Sequence, residues 1–186
     1  MKSFSILLLI MLSATFAFAQ SKSAAAMEKQ LKNLQADKVY ALKYDVNSDN
    51  SKVYGFGADF GDEQDKRNAV ESMRFGMAFN YAGRDLKAVP DEYLLTFQAQ
   101  TKRAKFVEKH GLIFTVDGAI LDLGAARYAA KSGIEYLNFK LTREQLGKLA
   151  KGREVSLQIG DAAFALSAEQ RKLFADLYAL SDPNSL

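Results

Sequence analysis

Hydrophobic and polar residues alternate along much of the chain after residue 38, which is typical of half-buried β-strands. The alternation covers residues 40–46, 54–60, 73–81, 93–100 and 134–141. Successive side chains of a strand point to opposite faces, so each segment is expected to bury its apolar set. In the second segment this set is Tyr54, Phe56, Ala58 and Phe60, which includes three aromatic residues.

Two β-hairpins are predicted from their turn residues. Asp117-Gly118 is a type I′ signal and Gly160-Asp161 is a similar two-residue turn, each between two apolar-alternating segments. The first turn predicts three cross-strand pairs, namely Val116 with Ala119, Phe114 with Leu121, and Leu112 with Leu123. The second predicts Ile159 with Ala162, Leu157 with Phe164, and Val155 with Leu166. Each set of pairs lies on one face, as a core-facing hairpin requires.

Three helices are predicted from their apolar spacing and their capping residues. Residues 27–34 form a short amphipathic helix, and two further helices begin at the capping boxes Thr142/Gln145 and Ser167/Gln170. The middle helix is expected to stop at Gly152. The last helix covers residues 168–180 and carries its apolar side chains on one face, namely Leu173, Phe174, Leu177 and Leu180.

The first nineteen residues have the pattern of an export signal. Lys2 supplies a positive start, an apolar run covers residues 4–12, and Ala17-Phe18-Ala19 is a cleavage site before Gln20. This pattern predicts a periplasmic or extracellular protein with a mature start near Gln20. No second hydrophobic run approaches the length of a membrane span, so none is expected after signal cleavage.

These patterns predict a mainly β fold of the β-sandwich or α+β type, with about nine antiparallel strands and the C-terminal helix packed against the sheet. The predicted organisation has three parts. Residues 1–19 are the signal, residues 20–36 are a flexible lead with a short helix, and residues 37–186 are a single β-rich domain.

Composition narrows the possible functions. The chain has no cysteine, which excludes a lipidated cysteine at the mature start, a thiol nucleophile and a cysteine-based zinc site. The formal net charge is +3, with charges of both signs mixed along the chain, so no basic stripe for nucleic acid is evident. The absence of Trp counts weakly against a carbohydrate-binding groove. We therefore expect no nucleic-acid partner.

One loop has oxygen-bearing residues at the spacing of a metal site. Asp45, Asn47 and Asp49 occupy alternate positions, as in the start of a calcium-binding loop of the EF-hand type. The later ligand positions of such a loop are occupied here by Val53 and Phe56. The alternative is a polar turn between two strands, closed by Asx-turns. No other cofactor is indicated by the sequence.

His110 and Glu135 are the two residues considered for catalysis. His110 is the only histidine and lies in a Lys-His-Gly turn with no nucleophile motif nearby. Glu135 falls on the apolar side of its strand, where burial would raise a carboxyl pKa. The alternatives are an exposed turn for His110 and a strand end reaching water for Glu135.

Two further clusters have a structural and a functional interpretation. The basic residues Lys102, Arg103, Lys105 and Lys109 would either steer an anionic envelope polymer or protect an edge against aggregation. Gly55 and Gly57 fall inside a strand pattern, which favours a bend or a close backbone approach over a phosphate-binding loop.

The sequence therefore favours an exported non-catalytic domain that binds an envelope protein or polymer, or that has a structural role. Two alternatives stay open, namely a domain that binds a small ligand or calcium, and a secreted hydrolase.

Overall fold

The computed structural model describes residues 21–34, 40–57 and 59–185, and the predicted signal lies outside these ranges. The strands are β1 (Tyr40–Asp45), β2 (Asn50–Phe56), β3 (Ser72–Ala82), β4 (Tyr93–Gln100), β5 (Gly111–Val116), β6 (Ala119–Ala125), β7 (Arg127–Lys131), β8 (Ile134–Leu141), β9 (Val155–Ile159) and β10 (Ala162–Ala165). The helices are α1 (Ala24–Leu34), α2 (Asp62–Arg67), α3 (Arg143–Lys151) and α4 (Ala168–Leu180).

The strands form two antiparallel sheets, which confirms the predicted mainly β fold. The larger sheet has the order β1-β2-β3-β4-β8-β7, and the smaller one has the order β10-β9-β5-β6. Helix α4 packs on the larger sheet, as predicted, and contacts β2 and β3. Side chains from both sheets and from α1, α3 and α4 form one continuous apolar core. Among the described residues, no helix is both long and apolar enough to cross a membrane.

Both predicted hairpins are present, and one of them contains a bulge. Asp117 and Gly118 have φ angles of 49° and 84°, the left-handed pair that a type I′ turn requires. Val116 pairs with Ala119 and Phe114 with Leu121, but Leu112 pairs with Gly124 in place of the predicted Leu123. Leu123 is therefore the extra residue on β6, and the register shifts between Leu112 and Ile113. A β-bulge of this kind bends the strand.

In the second hairpin, Ile159 pairs with Ala162 and Leu157 with Phe164, as predicted. Strand β10 ends at Ala165, yet the Leu166 amide still donates to the Val155 carbonyl at 2.9 Å. The predicted contact between these two residues is therefore kept by a backbone hydrogen bond just beyond the ladder.

Both predicted capping boxes are formed, at Thr142 with Gln145 and at Ser167 with Gln170. Helix α3 ends at Gly152 as expected, but the physical reason is different. Gly152 has a φ of −64°, and a Cβ on it would lie 2.6 Å from the Val116 side chain and 2.8 Å from that of Val155. The glycine is required here because the helix end packs tightly against β5 and β9.

Strand β2 differs from the prediction in both position and orientation. It covers residues 50–56, whereas the alternation predicts 54–60, and a four-residue turn at 46–49 connects it to β1. Val53 and Gly55 face the core, whereas Tyr54 and Phe56 face outward. The cause is Tyr40, whose ring lies so close to Gly55 that a Cβ there would be 2.7 Å from it. Because Gly55 has no side chain, it leaves space on the inner face of the sheet, and the Tyr40 ring fills that space.

Two short elements are present that the hydrophobic pattern does not predict. Helix α2 is entirely polar in sequence, and strand β7 joins β8 through a turn at Ser132 and Gly133. The side chains of Gln64 in α2 and of Asn68, which caps its C-terminal end, each donate to and accept from the backbone of β10, at 2.7–3.2 Å. These two amides take the place of a neighbouring strand and cover this edge of the smaller sheet.

The segment before α1 contacts the rest of the chain through Lys22. Helix α1 starts at Ala24, and Lys22 forms a backbone bridge with Leu86. The Lys22 side chain is 1% exposed, and its ammonium donates to the Leu180 carbonyl and the Ser185 hydroxyl. Burial lowers the pKa of Lys22 to about 8, although the nearby Asp182 carboxylate opposes this change.

Candidate binding face

The larger sheet has one face packed on the core and one face that no described element covers. This outer face consists of the even-numbered positions of β2, β3, β4 and β8 and the odd-numbered positions of β1 and β7. Along β3, for example, Met73, Phe75 and Met77 are buried in the core, while Arg74 and Asn80 are exposed on the outer face. An antiparallel sheet can keep such a face in water because its strands alternate in polarity.

The middle of the outer face is a shallow trough with an apolar floor. Gly76 and Ala78 form the floor, and the outward side chains of Tyr54 and Phe56 form one wall. The trough has a volume of about 470 Å³, and Leu94 lies on its other side. This volume falls in the range of about 300–1,000 Å³ that is usual for ligand sites.

The Phe56 ring rests directly on the backbone of Gly76. A Cβ at Gly76 would lie 2.8 Å from Cδ1 of Phe56, so only glycine allows the ring to lie there. The rings of Tyr54 and Phe56 meet edge to face, with centroids 5.8 Å apart and an interplanar angle of 73°. Phe56 is nevertheless 41% exposed, which leaves an aromatic surface open to solvent.

Positive charge is concentrated on this face. Its cations are Lys43, Lys52, Arg74, Arg127, Lys131 and Lys140, against a single carboxylate from the described strands, that of Asp45 at one corner. The sequence mixes charges of both signs, but strand alternation moves the cations of these six strands to one side. The mixture of charges along the sequence therefore does not describe this face of the folded sheet.

Two of the lysines face each other across neighbouring strands. Lys43 of β1 is directly opposite Lys52 of β2, and Asn80 of β3 follows in the same row. Like charges placed directly opposite each other in a sheet are destabilising. Among the described residues, neither lysine has a carboxylate within salt-bridge distance.

Neutral polar groups complete the outer face on the far side of the trough. The Thr96 hydroxyl donates to Asn138 at 2.8 Å, and the Arg74 guanidinium donates to Gln98 at 2.9 Å. Lys140 makes a salt bridge of 2.7 Å with the exposed Glu92 at the rim. These contacts hold the side chains in place while leaving further hydrogen-bonding capacity on the amides.

Glu135, one of the two catalytic candidates, is fully engaged in structural hydrogen bonds. Its carboxylate is buried and accepts from the Thr101 and Tyr128 hydroxyls and from the backbone amides of Lys105 and Phe106, at 2.7–3.1 Å. Burial alone would raise the pKa of Glu135, but these hydrogen bonds together lower it below its usual value. The expected raised pKa is therefore wrong, and the predicted reach to water is absent.

His110 lies near Glu135 but does not contact it. Its Nδ1 is 3.0 Å from the Phe106 carbonyl and 3.1 Å from that of Val107, and its ring stacks on Tyr128 with centroids 5.9 Å apart. Tyr128 thus lies between the two candidates, with its hydroxyl already donated to Glu135. The structure brings the three side chains together as packing and hydrogen-bonding partners, without a free nucleophile among their contacts.

The loop with the candidate metal ligands forms a compact turn. The Asp45 carboxylate accepts from the Asn47 amide and the Ser48 hydroxyl, both at 2.9 Å, and Asp49 accepts from the Tyr44 hydroxyl at 2.8 Å. These are the Asx-turn contacts of the simpler interpretation. In the described part of the chain, no group of three or more histidine and acidic side chains is placed to hold a metal ion. Calcium binding by Asp45, Asn47 and Asp49 stays a prediction.

The basic stretch lies in the segment that connects the two sheets, between β4 and β5. Lys102 and Arg103 are exposed, and Lys105 forms a salt bridge of 3.2 Å with Asp161.

Gly55 and Gly57 are positions of close backbone approach, where a Cβ would meet Tyr40 and Phe75 respectively. Neither cluster is part of the outer face.

Comparison of the chain with protein-family models, with curated proteins and with solved structures finds no match. The outer face therefore has to be interpreted from its own geometry and chemistry.

Sequence reasoning misses this face because it assigns Tyr54 and Phe56 to the core. One signal could have located it: Val53 and Gly55 continue an inward set with Ser51, so the strand has two possible buried faces. Choosing the face without the aromatics would have placed Lys52, Tyr54 and Phe56 together in solvent.

Proposed function

We propose that this protein is an exported, non-catalytic binding module that engages an envelope or extracellular partner through the outer face of its larger sheet. The observation that carries this proposal is the uncovered six-stranded face, with its cations segregated around an exposed aromatic trough. Exposed apolar surface rimmed by polar residues is a common property of interaction sites.

The state of the catalytic candidates supports a binding role over a hydrolytic one. A general base needs a free lone pair near the substrate proton. Glu135 already accepts hydrogen bonds from four groups. Nδ1 of His110 points at two backbone carbonyls, which leaves the lone pair on Nε2, but no hydrogen bond of the described residues links Nε2 to a hydroxyl nucleophile. The trough itself is lined by lysine, aromatic, small and amide side chains, with no carboxylate or histidine among the described lining residues.

Export is the part of the proposal that the N-terminal pattern supports, and it predicts a defined product. When the full-length chain is expressed in a bacterium, the protein recovered outside the cytoplasm should begin near Gln20. Intact-mass measurement of that fraction is the test, and the mass should lack residues 1–19. An exported product that retains these residues would contradict cleavage and would indicate a membrane anchor instead.

The binding role predicts that partners contact one side of the molecule. Backbone amide NMR of the purified protein, titrated with soluble acidic and neutral polysaccharides and with acidic and basic peptides, should show shifts confined to β1–β4 and β8. The doubly substituted variant Lys43→Glu/Lys52→Glu should lose the response. The matched control Lys29→Glu/Lys32→Glu changes two exposed lysines of α1 and should retain it. Shifts centred on α1, α3 or the smaller sheet would overturn the assignment of this face.

A further inference from the structure

The chemistry of the trough is specific enough to define the class of partner, provided that the proposed outer-face binding is correct. The first observation is the facing pair Lys43 and Lys52. Among the described residues neither ammonium group has a carboxylate within salt-bridge distance, and the attraction of the nearby Asp45 to Lys43 offsets the repulsion between the two lysines only in part. A bound anion between these strands would offset that repulsion and form charge-assisted hydrogen bonds to both groups.

The second observation is that an aromatic surface continues directly from this cationic pair. Lys52, Tyr54 and Phe56 occupy successive outward positions of β2. At about 3.3 Å per residue, they extend over roughly 13 Å. A partner that contacts all three is therefore an extended chain that presents both negative charge and flat apolar surfaces.

The third observation concerns the backbone around the trough. Strands β2, β3 and β4 each have a hydrogen-bonded neighbour on both sides, so their amides and carbonyls are already paired. A peptide cannot add to the sheet here as an extra strand, which is the usual way in which an open sheet binds extended peptides. Recognition over β2, β3 and β4 therefore uses side chains, and β1, which carries Lys43, is the edge strand on this side of the sheet.

The shape of the floor argues against membrane binding. Gly76 and Ala78 are buried below the aromatic wall, so the floor is recessed and Phe56 is the one large apolar side chain among the described residues of the trough that is exposed beside it. Surface helices and loops that bind lipid bury projecting Trp, Phe or Leu side chains in the bilayer. A recessed floor beside exposed ring faces instead accommodates flat rings laid along the sheet.

Amide and hydroxyl groups border the trough on its other sides. Asn80 lies beside Lys52 in the same row, and Thr96 and Gln98 lie beyond the floor on β4. Such groups both donate and accept, which suits the many hydroxyls of a sugar chain. The side chains that border the trough thus combine cations for carboxylates, aromatic faces for rings and neutral polar groups for hydroxyls.

We propose that the outer face binds an acidic polysaccharide, with its carboxylates at Lys43 and Lys52 and its sugar rings against Tyr54 and Phe56. The aromatic faces are those of Tyr and Phe, so the absence of Trp does not exclude the site. Charge attraction makes the binding sensitive to salt, since screening acts over about 10 Å at 0.1 M ionic strength.

Titration calorimetry with defined polymers tests this proposal. Polygalacturonate, a chain of carboxylated sugars, should bind the purified protein, and dextran, an uncharged chain, should not. Polyglutamate has carboxylates but no rings, and it should bind at least about tenfold more weakly than polygalacturonate. Comparable affinities for the two anionic polymers would overturn the role of the rings.

Variants then separate the contribution of the two lysines to binding from that of the two aromatic rings. Lys43→Gln/Lys52→Gln and Tyr54→Ala/Phe56→Ala should each weaken polygalacturonate binding by at least about tenfold, while Lys29→Gln/Lys32→Gln should leave it unchanged. The first variant relieves the repulsion, so its melting temperature should be equal to or above that of the parent. If Lys43→Gln/Lys52→Gln loses binding but keeps its melting temperature, the two lysines contribute to recognition and not to folding.

Three results would contradict the polysaccharide proposal, and they differ in whether the outer face remains the binding surface. Preferential binding of single-stranded DNA or of anionic phosphatidylglycerol vesicles, with NMR shifts still on β1–β4, would overturn the ligand class and leave the proposed function standing. Polygalacturonate binding with shifts elsewhere on the molecule would overturn both. Absence of binding to polygalacturonate, alginate and hyaluronate, while a peptide shifts the outer face, would overturn the polysaccharide alone.

Discussion

Replacing Phe174 with alanine is expected to lower the free energy of unfolding by about 3–5 kcal/mol, the usual cost of truncating a buried phenylalanine. For a chain of this size, that loss corresponds to a decrease in melting temperature of roughly 6–20 °C. Phe174 is 0% exposed and lies on the apolar face of α4 that the sequence predicts.

The large effect follows from where the Phe174 ring lies. It stacks on Phe75 of the larger sheet, with centroids 5.5 Å apart and planes 16° from parallel. It also meets Phe114 of the smaller sheet edge-on, at 6.1 Å and 87°. One helix side chain therefore joins the two sheets, and its removal leaves a cavity that neither sheet can close alone.

Phe56→Ala is the matched control, because it removes the same atoms from the outer face. Phe56 is 41% exposed, so the expected loss is no more than about 1 kcal/mol. Thermal and urea unfolding of the two variants provide the comparison. Equal losses in both variants would contradict the assignment of Phe174 to the core and of Phe56 to the surface.

This contrast also shows where the sequence is sufficient to predict the fold. In β3 and β4 the apolar set is large, and its alternative set contains Arg74, Gln98 and other polar groups. The pattern then determines which face is buried, and Met73, Phe75, Leu95 and Phe97 are indeed in the core. The capping boxes and the Asp117-Gly118 turn are equally predictable because they depend on local geometry alone.

Strand β2 could not be oriented from its own residues. Both of its faces carry apolar groups, and the choice is made by Tyr40, a neighbour on another strand. The Tyr40 ring occupies the space above Gly55, and its hydroxyl donates to Asp176 of α4 at 2.5 Å. Tertiary packing of this kind overrides a local pattern.

The candidate binding face depends on that same choice. With Tyr54 and Phe56 outward, the aromatic wall lies beside Lys52, and six cations from five strands share one surface. Charge segregation across a sheet is a consequence of register and strand order, and the linear sequence gives no direct indication of it. The outer face is therefore a property of the assembled sheet.

Glu135 is the second position where a single substitution should have a large effect. Glu135→Gln is expected to lower the free energy of unfolding by about 3 kcal/mol or more. The carboxylate oxygens accept from Thr101, Lys105, Phe106 and Tyr128, so every neighbour of this group is a donor. A glutamine keeps one acceptor oxygen but loses the negative charge, and its amide nitrogen cannot accept from a hydroxyl, so the charge-assisted hydrogen bonds are lost and the hydroxyl on that side must turn.

The pH dependence of this contribution has a defined sign. Hydrogen bonding lowers the pKa of Glu135 in the folded chain below its ordinary value of 4.5. A lowered folded pKa stabilises the fold above the unfolded pKa, and this stabilisation is lost as the pH falls through the folded value. The stability difference between the parent and Glu135→Gln should therefore be largest near neutral pH and should narrow below about pH 4.5.

The matched control for Glu135 is Glu108→Gln, an exposed glutamate in the same connection between β4 and β5. It should change the free energy of unfolding by less than about 0.5 kcal/mol. Amide hydrogen exchange at Lys105 and Phe106 should accelerate in Glu135→Gln and stay slow in the control, because only the first variant replaces their charged acceptor with a weaker neutral one. If both variants behave alike, Glu135 does not anchor this segment, and its buried carboxylate would again be a candidate for chemistry.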